Sequence, residues 1–319
     1  MILHNDEDLF EKSIKETADN LNIREIFIEK DYWISLVLKR LSESEYVDKV
    51  VFKGGTSLSK GFNLIDRFSE DVDIAVIDTT KLTGNQIKTI LRTVEKKITA
   101  DLQEIEKEGI TSKGSRYRKS VYHYPTLKKV EDDTLIVEIN SFANPYPFEK
   151  RKIQSMIGQY LQEQNQTKML KRYDLQEFEL NVLDKKQTLL EKLVSLVRFS
   201  FYSNPDIPLS EKIRHFYDLY FLANDKECKE YIHSNDFLEE FNKILEHDRK
   251  AFNEPEGWNK KEIKASPIIN DFDNLWEKLK QRYLNELSVL AFTEIPSESE
   301  IYDNFKELTA IIKSWIGGD

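Results

Sequence analysis

Two aspartates with one residue between them, Asp71 and Asp73, stand at the start of an apolar run, DVDIAV (71–76). Alternate residues of an extended strand project to the same face, so the two carboxylates are expected to lie side by side. Such a pair repels unless something positive lies between its members. Mg²⁺ in proteins is usually bound by one or two carboxylates together with substrate phosphates. The spacing therefore predicts a site for Mg²⁺, or alternatively Mn²⁺, at the mouth of this strand.

A double glycine, Gly54-Gly55, follows a short apolar run, KVVFK (49–53), and precedes a helical pattern that begins at Thr56. Glycine allows the backbone to approach a phosphate closely, and free N–H groups at a helix N-terminus attract anions. Thr56 is a candidate N-cap, and Ser57 could add a hydroxyl donor. Together with the aspartate pair, this turn predicts the binding of a nucleoside triphosphate.

Each motif alone has a simpler interpretation, namely a tight turn and an exposed strand edge. The order of strand, double glycine, helix and aspartate strand favours the nucleotide site over this interpretation. A Walker P-loop is excluded, because the pattern GxxxxGK[ST] does not occur in the sequence.

The elements that must position these residues follow from hydrophobic periodicity. The pattern predicts strands over 49–53, 72–78, 115–125 and 134–140 and helices over 6–18, 29–44, 56–65 and 84–108. After about residue 149 it predicts an almost entirely helical chain, over 149–162, 186–203, 209–222, 236–248, 272–290 and 297–315. Strands in the first half and helices in the second predict an α+β domain over residues 1–150 and a helical C-terminal domain over residues 151–319.

The segment FKGGTSLSKGFNLIDRFSEDVDI (52–74) resembles the signature of the AbiEii/AbiGii toxin family, within the DNA polymerase β-like nucleotidyltransferase superfamily. The superfamily combines a Gly-[Gly/Ser] turn and helix with a strand that carries paired aspartates. The family form adds an Arg-x-Ser-x-Asp-x-Asp run, matched here from Arg67 and Ser69 onward, and EKDYW (29–33) is similar to the family's N-terminal helix. The resemblance implies a polymerase β-like nucleotidyltransferase domain, with a small mixed sheet flanked by helices, followed by helices.

The resemblance also implies a third carboxylate from a neighbouring strand, and LIVEINSF (135–142) offers Glu138. Its neighbours Val137 and Ile139 would face the core, which leaves Glu138 on the other face. Glu138 could bind a second metal ion or take the proton of the acceptor. The alternative is an ordinary glutamate that faces solvent.

Two helices of the second half carry further candidates. Lys192, in TLLEKLVSLVRF (188–199), matches a family lysine that contacts the nucleotide's phosphates, although a lone helix lysine is ordinarily a solvated residue. Asp218, in EKIRHFYDLYFL (211–222), matches the aspartate of the family's last motif and could position Lys192 or the acceptor. His215 as a catalytic base is the weaker option, because a histidine in this setting is more often packed as a structural residue.

The resemblance thus implies three overlapping sets of site residues. The implied metal ligands are Asp71, Asp73 and Glu138, and the implied catalytic residues are Asp71, Asp73, Glu138, Lys192 and Asp218. The implied nucleotide-binding residues are Gly54, Gly55, Thr56, Ser57, Arg67, Ser69 and Lys192.

Residues 109–130 form a basic segment without any acidic residue. Cationic groups bind phosphates and aromatic faces stack on unpaired bases, so this segment is a candidate RNA surface. The alternative is a pair of strands with ordinary outward charges. Its members are Lys113, Arg116, Arg118, Lys119, Lys128 and Lys129, interleaved with Tyr117, Tyr122 and Tyr124.

Composition bounds the class of protein. A net charge of −10 over 319 residues argues against a protein that coats nucleic acid nonspecifically, while leaving room for a local basic site. Cys228 is the only cysteine, so no disulfide partner is expected and a reducing cytoplasm is the predicted location. The N-terminus lacks a signal-peptide pattern, and no apolar run approaches the ~20 residues that span a bilayer, so no membrane partner is predicted.

The sequence therefore predicts a Mg²⁺-dependent nucleotidyltransferase that takes an NTP as substrate. The resemblance implies the toxin of a toxin–antitoxin or abortive-infection (phage defence) pair, with its cognate antitoxin encoded nearby. It also makes the 3′ end of tRNA the leading acceptor. Two alternatives stay open, namely nucleotidylation of a protein target and a nucleotide-binding regulator without transfer activity.

Overall fold

A computed structural model of the chain describes residues 1–69, 71–126 and 133–316. The chain divides into two compact units. The first comprises Met1–Asn63 and Phe68–Leu183, and the second comprises Leu64–Arg67 and Asp184–Asp319. Four residues between the double glycine and the aspartate pair thus belong to the second unit, although the first unit provides the chain on either side of them.

The first unit is built on a mixed sheet, whose strands run in the order β3-β5-β6-β2-β1-β8-β7, with β4 paired to β5. Two of the strand pairs, β1 with β8 and β2 with β6, are parallel, and the others are antiparallel. The strands are β1 (Val50–Lys53), β2 (Asp71–Val76), β3 (Gln103–Ile105), β4 (Ser112–Lys113), β5 (Tyr117–His123), β6 (Thr134–Asn140), β7 (Phe148–Ile153) and β8 (Phe178–Leu183).

Six helices of the same unit accompany this sheet in the described ranges. Apolar residues at helical spacing give α4 a buried face, and its start is fixed by a capping box between Thr83 and Gln86. The helices are α1 (Glu7–Leu21), α2 (Glu25–Ser42), α3 (Gly54–Phe62), α4 (Gly84–Ile98), α5 (Met156–Glu163) and α6 (Thr167–Arg172). The α+β class and the flanking helices predicted from the sequence are confirmed.

The expectation of an almost entirely helical chain after residue 149 is wrong for β7 and β8. β7 is an edge strand with charged residues in its sequence, FEKRKI, so it lacks the apolar run that reveals a buried strand. β8 pairs in parallel with β1 far back in the chain, and such a pairing leaves no local signal. The first unit consequently ends after Leu183 and includes residues 151–183.

The second unit is helical in its described part. Its core contains a cluster of aromatic rings, in which Phe216, Phe272 and Phe305 approach one another to centroid distances of 4.6–6.0 Å. The helices are α7 (Lys185–Phe199), α8 (Asp206–Ser210), α9 (Ile213–Asn224), α10 (Lys226–Ile232), α11 (Asn235–Ala251), α12 (Pro267–Asn270), α13 (Phe272–Leu290) and α14 (Glu298–Ile316). Across the ranges that the structure describes, no helix has the length and apolar character required to cross a membrane.

Candidate active site

Strand register brings three predicted carboxylates together on one face of the sheet. β2 and β6 run parallel, and Asp73 lies directly beside Glu138. Asp71 lies two residues earlier on β2 and therefore projects to the same face as Asp73. Val137 and Ile139 are fully buried while Glu138 is partly exposed, which is the orientation predicted from their alternation.

Lysines flank these carboxylates on the neighbouring strands. Lys53 of β1 pairs with Asp73, and Lys119 of β5 pairs with Glu138. Lys53, Asp73, Glu138 and Lys119 thus form a charged row across four adjacent strands. Lys119 Nζ lies 3.5 Å from Glu138 Oε2, and the Tyr117 hydroxyl donates a hydrogen bond of 3.2 Å to the same oxygen. The row places two cations at the ends of an acidic centre.

The three carboxylates Asp71, Asp73 and Glu138, called here the acidic centre, repel one another without enough positive charge to balance them. Burial, together with the neighbouring charges of Glu138 and Asp71, raises the pKa of Asp73 to about 8, against the lowering influence of Lys53 and Lys119. Asp71 Oδ1 is buried and has no hydrogen-bond partner among the described residues. Burial and the nearby acidic side chains, Glu138 foremost, also raise the pKa of Tyr117. A bound cation would relieve each of these effects.

The carboxylates of Asp71, Asp73 and Glu138 are chemically suited to a hard divalent cation, although they do not form a complete coordination shell. In the described part of the chain, no group of three His, Cys, Asp or Glu side chains is positioned to hold a metal ion. Glu138 is engaged by Tyr117 and Lys119, whereas Asp71 Oδ1 is unpartnered. Carboxylate oxygens are the ligands that Mg²⁺ prefers. Asp71 and Asp73 therefore supply the kind of ligand that such a cation prefers, whereas Glu138 is engaged by Tyr117 and Lys119.

Gly54 lies against the acidic centre. Its φ of +81° is in the left-handed region, and a Cβ added to it would lie 2.1 Å from Asp73 Oδ2. α3 begins at this residue directly after β1, with Lys53 as its N-cap. The glycine thus allows the start of a helix and the Asp73 carboxylate to occupy adjacent space. The first turn of α3 consequently lies beside the carboxylates.

The next residues of α3 use their side chains to fix this turn. The Thr56 hydroxyl donates to the backbone carbonyl of Asp71 at 2.5 Å, and the Ser57 hydroxyl donates to the carbonyl of Gly54 at 2.8 Å. The prediction of Thr56 as N-cap is wrong, because β1 leads directly into the helix two residues earlier. Gly55, Thr56 and Ser57 are buried, and so is Ser69 in the segment before β2.

Within the second unit, Asp218 is enclosed by two cations. Arg67 makes a bidentate contact, with its Nε and Nη2 each 2.7 Å from an Asp218 carboxylate oxygen. Lys192 Nζ lies 2.8 Å from Asp218 Oδ2. The side chain of Asp218 is 0% exposed, and those of Arg67 and Lys192 are 3% and 8% exposed. The structure therefore shows Arg67 and Lys192 held by a buried carboxylate.

Charge dictates the protonation of this cluster. Burial tends to raise the pKa of Asp218, but Arg67 and Lys192 outweigh it and hold that pKa well below its usual range. Burial, reinforced by Lys192 and Lys212, lowers the pKa of His215 well below its ordinary value. His215 Nδ1 has no hydrogen-bond partner within the described residues. Asp218 is therefore ionised and His215 neutral at physiological pH.

The candidate RNA surface over 109–130 is divided between the two faces of the sheet. Arg118 turns to Glu95 of α4, with its Nε 2.5 Å from Oε2, so it is not available to RNA. Tyr122 and Tyr124 are buried, and the Tyr124 ring stacks on Trp33 at 5.6 Å. The prediction is wrong for these three residues, because strand alternation directs Arg118 and Tyr122 to the face opposite Lys119.

Part of the basic segment stays accessible beside the carboxylates. Arg116 is exposed, and Tyr117 and Lys119 are partly exposed. Lys113 pairs with Glu104 at 2.7 Å. Lys128 and Lys129 lie outside the described residues. Sequence reasoning missed Lys53 as a neighbour of Asp73, and only the pairing of β1 with β2 reveals it.

Comparison with known proteins defines the class to which this fold and site belong. The chain matches the family model described as "Nucleotidyl transferase AbiEii toxin, Type IV TA system" over residues 36–304. It belongs to this family. It is thus a nucleotidyltransferase, and the family's toxins act in type IV toxin–antitoxin systems, as the motif resemblance predicted.

Two solved structures resemble the chain along most of their lengths. JHP933 from Helicobacter pylori is 18% identical, with 91% of this chain and 93% of that chain covered and a TM-score of 0.47. MenT4, a nucleotidyltransferase toxin from Mycobacterium tuberculosis, is 15% identical, with 92% and 98% covered and a TM-score of 0.38. No match was found among curated proteins.

Proposed function

We propose that this toxin is a Mg²⁺-dependent enzyme that transfers NMP from an NTP to an RNA, with the 3′ end of tRNA as acceptor. The observation that carries the proposal is the position of Asp71, Asp73 and Glu138 on one face, beside the glycine-led start of α3. Carboxylates for a metal and backbone amides for phosphate are the two halves of a triphosphate site.

Asp71 and Asp73 would hold the divalent ion, Mg²⁺ or Mn²⁺. Glu138 would contribute once it leaves Tyr117 and Lys119, which at present contact the same oxygen. When bound, the ion neutralises phosphate charge and favours an in-line displacement at the α-phosphorus. Lys53 and Lys119, at the two ends of the charged row, would limit the excess negative charge when the triphosphate arrives.

The first-turn amides of α3 would cradle the triphosphate, since Gly54 has no side chain to obstruct them. Lys192 would neutralise charge on the departing pyrophosphate, as the family resemblance implies. Asp218 would set the position of the Lys192 ammonium group, from which it lies 2.8 Å. Arg67 shares Asp218 with Lys192, so its role would be to hold Asp218 in place.

The reaction forms one bond and breaks one bond. The oxygen of an acceptor hydroxyl bonds to the α-phosphorus, and the bond from that phosphorus to the bridging α–β oxygen breaks. The electron pair of that bond leaves with pyrophosphate. The hydroxyl proton passes to a carboxylate, for which Glu138 is the candidate because it shares the face of Asp73. Atoms and charge balance without any further reactant.

The preference for an RNA acceptor rests on the side chains that stay accessible near the carboxylates. Tyr117 contacts Glu138 through its hydroxyl and is itself partly exposed, while Lys119 and Arg116 supply positive charge. Aromatic stacking and cationic contacts are how proteins hold unpaired RNA ends. The choice of the tRNA 3′ end comes from the family resemblance, as does a role in abortive infection with a neighbouring antitoxin gene. The cytoplasm, where tRNA is found, would be the site of action.

The test is a labelling experiment with the full chain. Purified protein is incubated with Mg²⁺ and each α-³²P-NTP in turn, together with total tRNA or with cell protein. Labelled tRNA, lost on Asp71→Ala, is the expected result. Label confined to protein would overturn the RNA acceptor in favour of protein nucleotidylation. No label in any mixture, combined with measurable NTP binding, would indicate a regulator without transfer activity.

A further inference from the structure

The EKDYW segment (29–33) of α2 is buried along its whole length, although three of its five residues are charged. Tyr32 and Trp33 belong to an aromatic cluster, in which the Tyr32 ring lies 4.7 Å from that of Phe10. Burial of a charge is costly unless the charge is paired and hydrogen-bonded. The catalytic scheme above uses none of these three charges, so their burial has a different cause.

Asp31 connects α2 to two other helices of the first unit. Its Oδ1 lies 2.6 Å from the Lys60 ammonium of α3, and its Oδ2 accepts the backbone N–H of Met156 at 2.7 Å. Met156 is the first residue of α5, whose first amide has no partner inside the helix. Lys60 Nζ also donates to the Gln154 carbonyl at 3.3 Å. The side chains of Asp31 and Lys60 are only 6% and 8% exposed.

α3 is the helix whose first turn lies beside Asp73. It has nine residues, and Lys60 stands near the end opposite to Gly54. The Thr56 hydroxyl fixes its start to the Asp71 carbonyl, and Gly61 brings it close to β8, where an added Cβ would lie 3.1 Å from Val182 Cγ1. The Asp31–Lys60 pair holds the other end. A helix of this length spans about 13 Å, so a displacement at Lys60 would tilt the first-turn amides.

We propose that Asp31 and Lys60 are positioning residues for the triphosphate, which hold α3 so that its first-turn amides face the space beside Asp73. A buried ion pair is weak evidence for stability, since apolar residues of similar size often do as well. The need to hold the phosphate-binding helix α3 in place would explain why Asp31 and Lys60 are an ion pair. The inference rests on the proposed function, in which those amides bind phosphate.

Three variants separate positioning from stability. Asp31→Asn keeps an acceptor for the Met156 amide and removes the charge, and Lys60→Met removes the ammonium and keeps most of the stem. The double variant Asp31→Asn/Lys60→Met leaves no unpaired charge. Each is titrated with the NTP that the parent binds most tightly among ATP, GTP, CTP and UTP in Mg²⁺, and each is melted without ligand.

We expect both single variants to lower the melting temperature and to raise the Kd for the NTP about tenfold, as misplaced binding groups do. The double variant is expected to regain most of the melting temperature while its Kd stays raised. A double variant that binds NTP like the parent would overturn the inference, because the pair would then serve stability alone. The matched control is Glu95→Gln/Arg118→Met, which removes another buried pair of this unit and should leave the Kd unchanged.

Asp71→Ala distinguishes a failure of this inference from a failure of the proposed function. If Asp71→Ala binds Mg²⁺–NTP like the parent, the carboxylates do not serve the nucleotide and the proposed function is wrong. If Asp71→Ala loses binding while all Asp31 and Lys60 variants keep it, only the positioning role is wrong.

Discussion

The carboxyl group of Asp73 occupies the space that a side chain on Gly54 would need, since an added Cβ would lie 2.1 Å from Asp73 Oδ2. The start of a helix and a strand carboxylate are thereby brought to van der Waals contact. Under the proposed function, the first-turn amides of α3 and the Asp73 carboxylate would act on one ligand, and the absence of a Cβ at residue 54 is what lets them lie side by side.

Gly54→Ala should remove NTP binding and destabilise the fold. The substitution combines a left-handed φ of +81° with the contact to Asp73, so we expect a loss of roughly 1–3 kcal/mol in the free energy of unfolding. Urea denaturation and NTP titration measure the two effects. Gly84→Ala is the matched control, because nothing lies within 4 Å of its added Cβ. Equal behaviour of the two variants would contradict the packing argument.

Asp71→Ala and Asp73→Ala should each abolish nucleotidyl transfer and growth inhibition while the fold is retained. Both remove one of several carboxylates that repel each other without a metal, so stability should not fall. Transfer is measured by the labelling assay and folding by circular dichroism. Asp19→Ala, which changes an exposed carboxylate of α1, serves as control. Full toxicity of either site variant would contradict the assignment of Asp71 and Asp73 as metal ligands. Glu138→Ala should cause a milder loss of nucleotidyl transfer.

The contribution of Asp73 to stability without metal should decrease as pH rises from about 4 to 8. The folded chain keeps a proton on Asp73, whose pKa is raised from 3.8 to about 8, whereas the unfolded chain has released it. The folded state therefore binds more protons in this range, and the free energy of unfolding falls with pH. Between pH 5 and pH 8 in EDTA, urea denaturation should give a more negative change in the free energy of unfolding for the parent than for Asp73→Asn. If the free energy of unfolding depended on pH in the same way in the parent and in Asp73→Asn, the prediction would be wrong.

Asp218→Ala should destabilise the second unit strongly. It leaves the guanidinium of Arg67 and the ammonium of Lys192 buried without their shared carboxylate. Removal of one partner from a buried ion pair costs roughly 3–5 kcal/mol. Chemical denaturation measures the loss, and Asp218→Asn/Arg67→Met should recover part of it. A wild-type midpoint for Asp218→Ala would show that the pairing contributes nothing to the fold.

Tyr117→Ala should weaken the binding of the RNA acceptor more than the binding of the NTP. A lost base stack costs about 1–3 kcal/mol, which corresponds to a rise in acceptor KM of roughly 5- to 150-fold. Tyr117→Phe keeps the ring and removes the hydrogen bond to Glu138, so its acceptor KM should stay near the parent value. If both variants raise KM equally, the hydroxyl and not the ring face is what matters.

The sequence predicts those parts of the site that depend on local spacing. Asp71 and Asp73 share a face because they are two residues apart on one strand, and Glu138 is partly exposed because it alternates with buried neighbours. The α+β class follows from the same periodicity. These features need no knowledge of which strands pair.

The remaining features depend on pairing between distant segments. Lys53 beside Asp73, Lys119 beside Glu138 and Asp31 against Lys60 all follow from strand register or helix packing, which spacing does not encode. The prediction of an RNA surface over residues 109–130 is wrong in part for the same reason. Charge alone does not show that Arg118 turns inward to Glu95 while Lys119 turns outward.

The assignment of Leu64–Arg67 to the second unit has a consequence for dissection of the chain. The polypeptide passes from one unit to the other three times, after Asn63, after Arg67 and after Leu183. A shortened protein that ended at Leu183 would keep Arg67 but lose Asp218, and it would also lose the Phe292 amide that bonds to the Asp66 carbonyl at 2.7 Å. No single cut therefore yields two pieces that each contain one whole unit and nothing of the other.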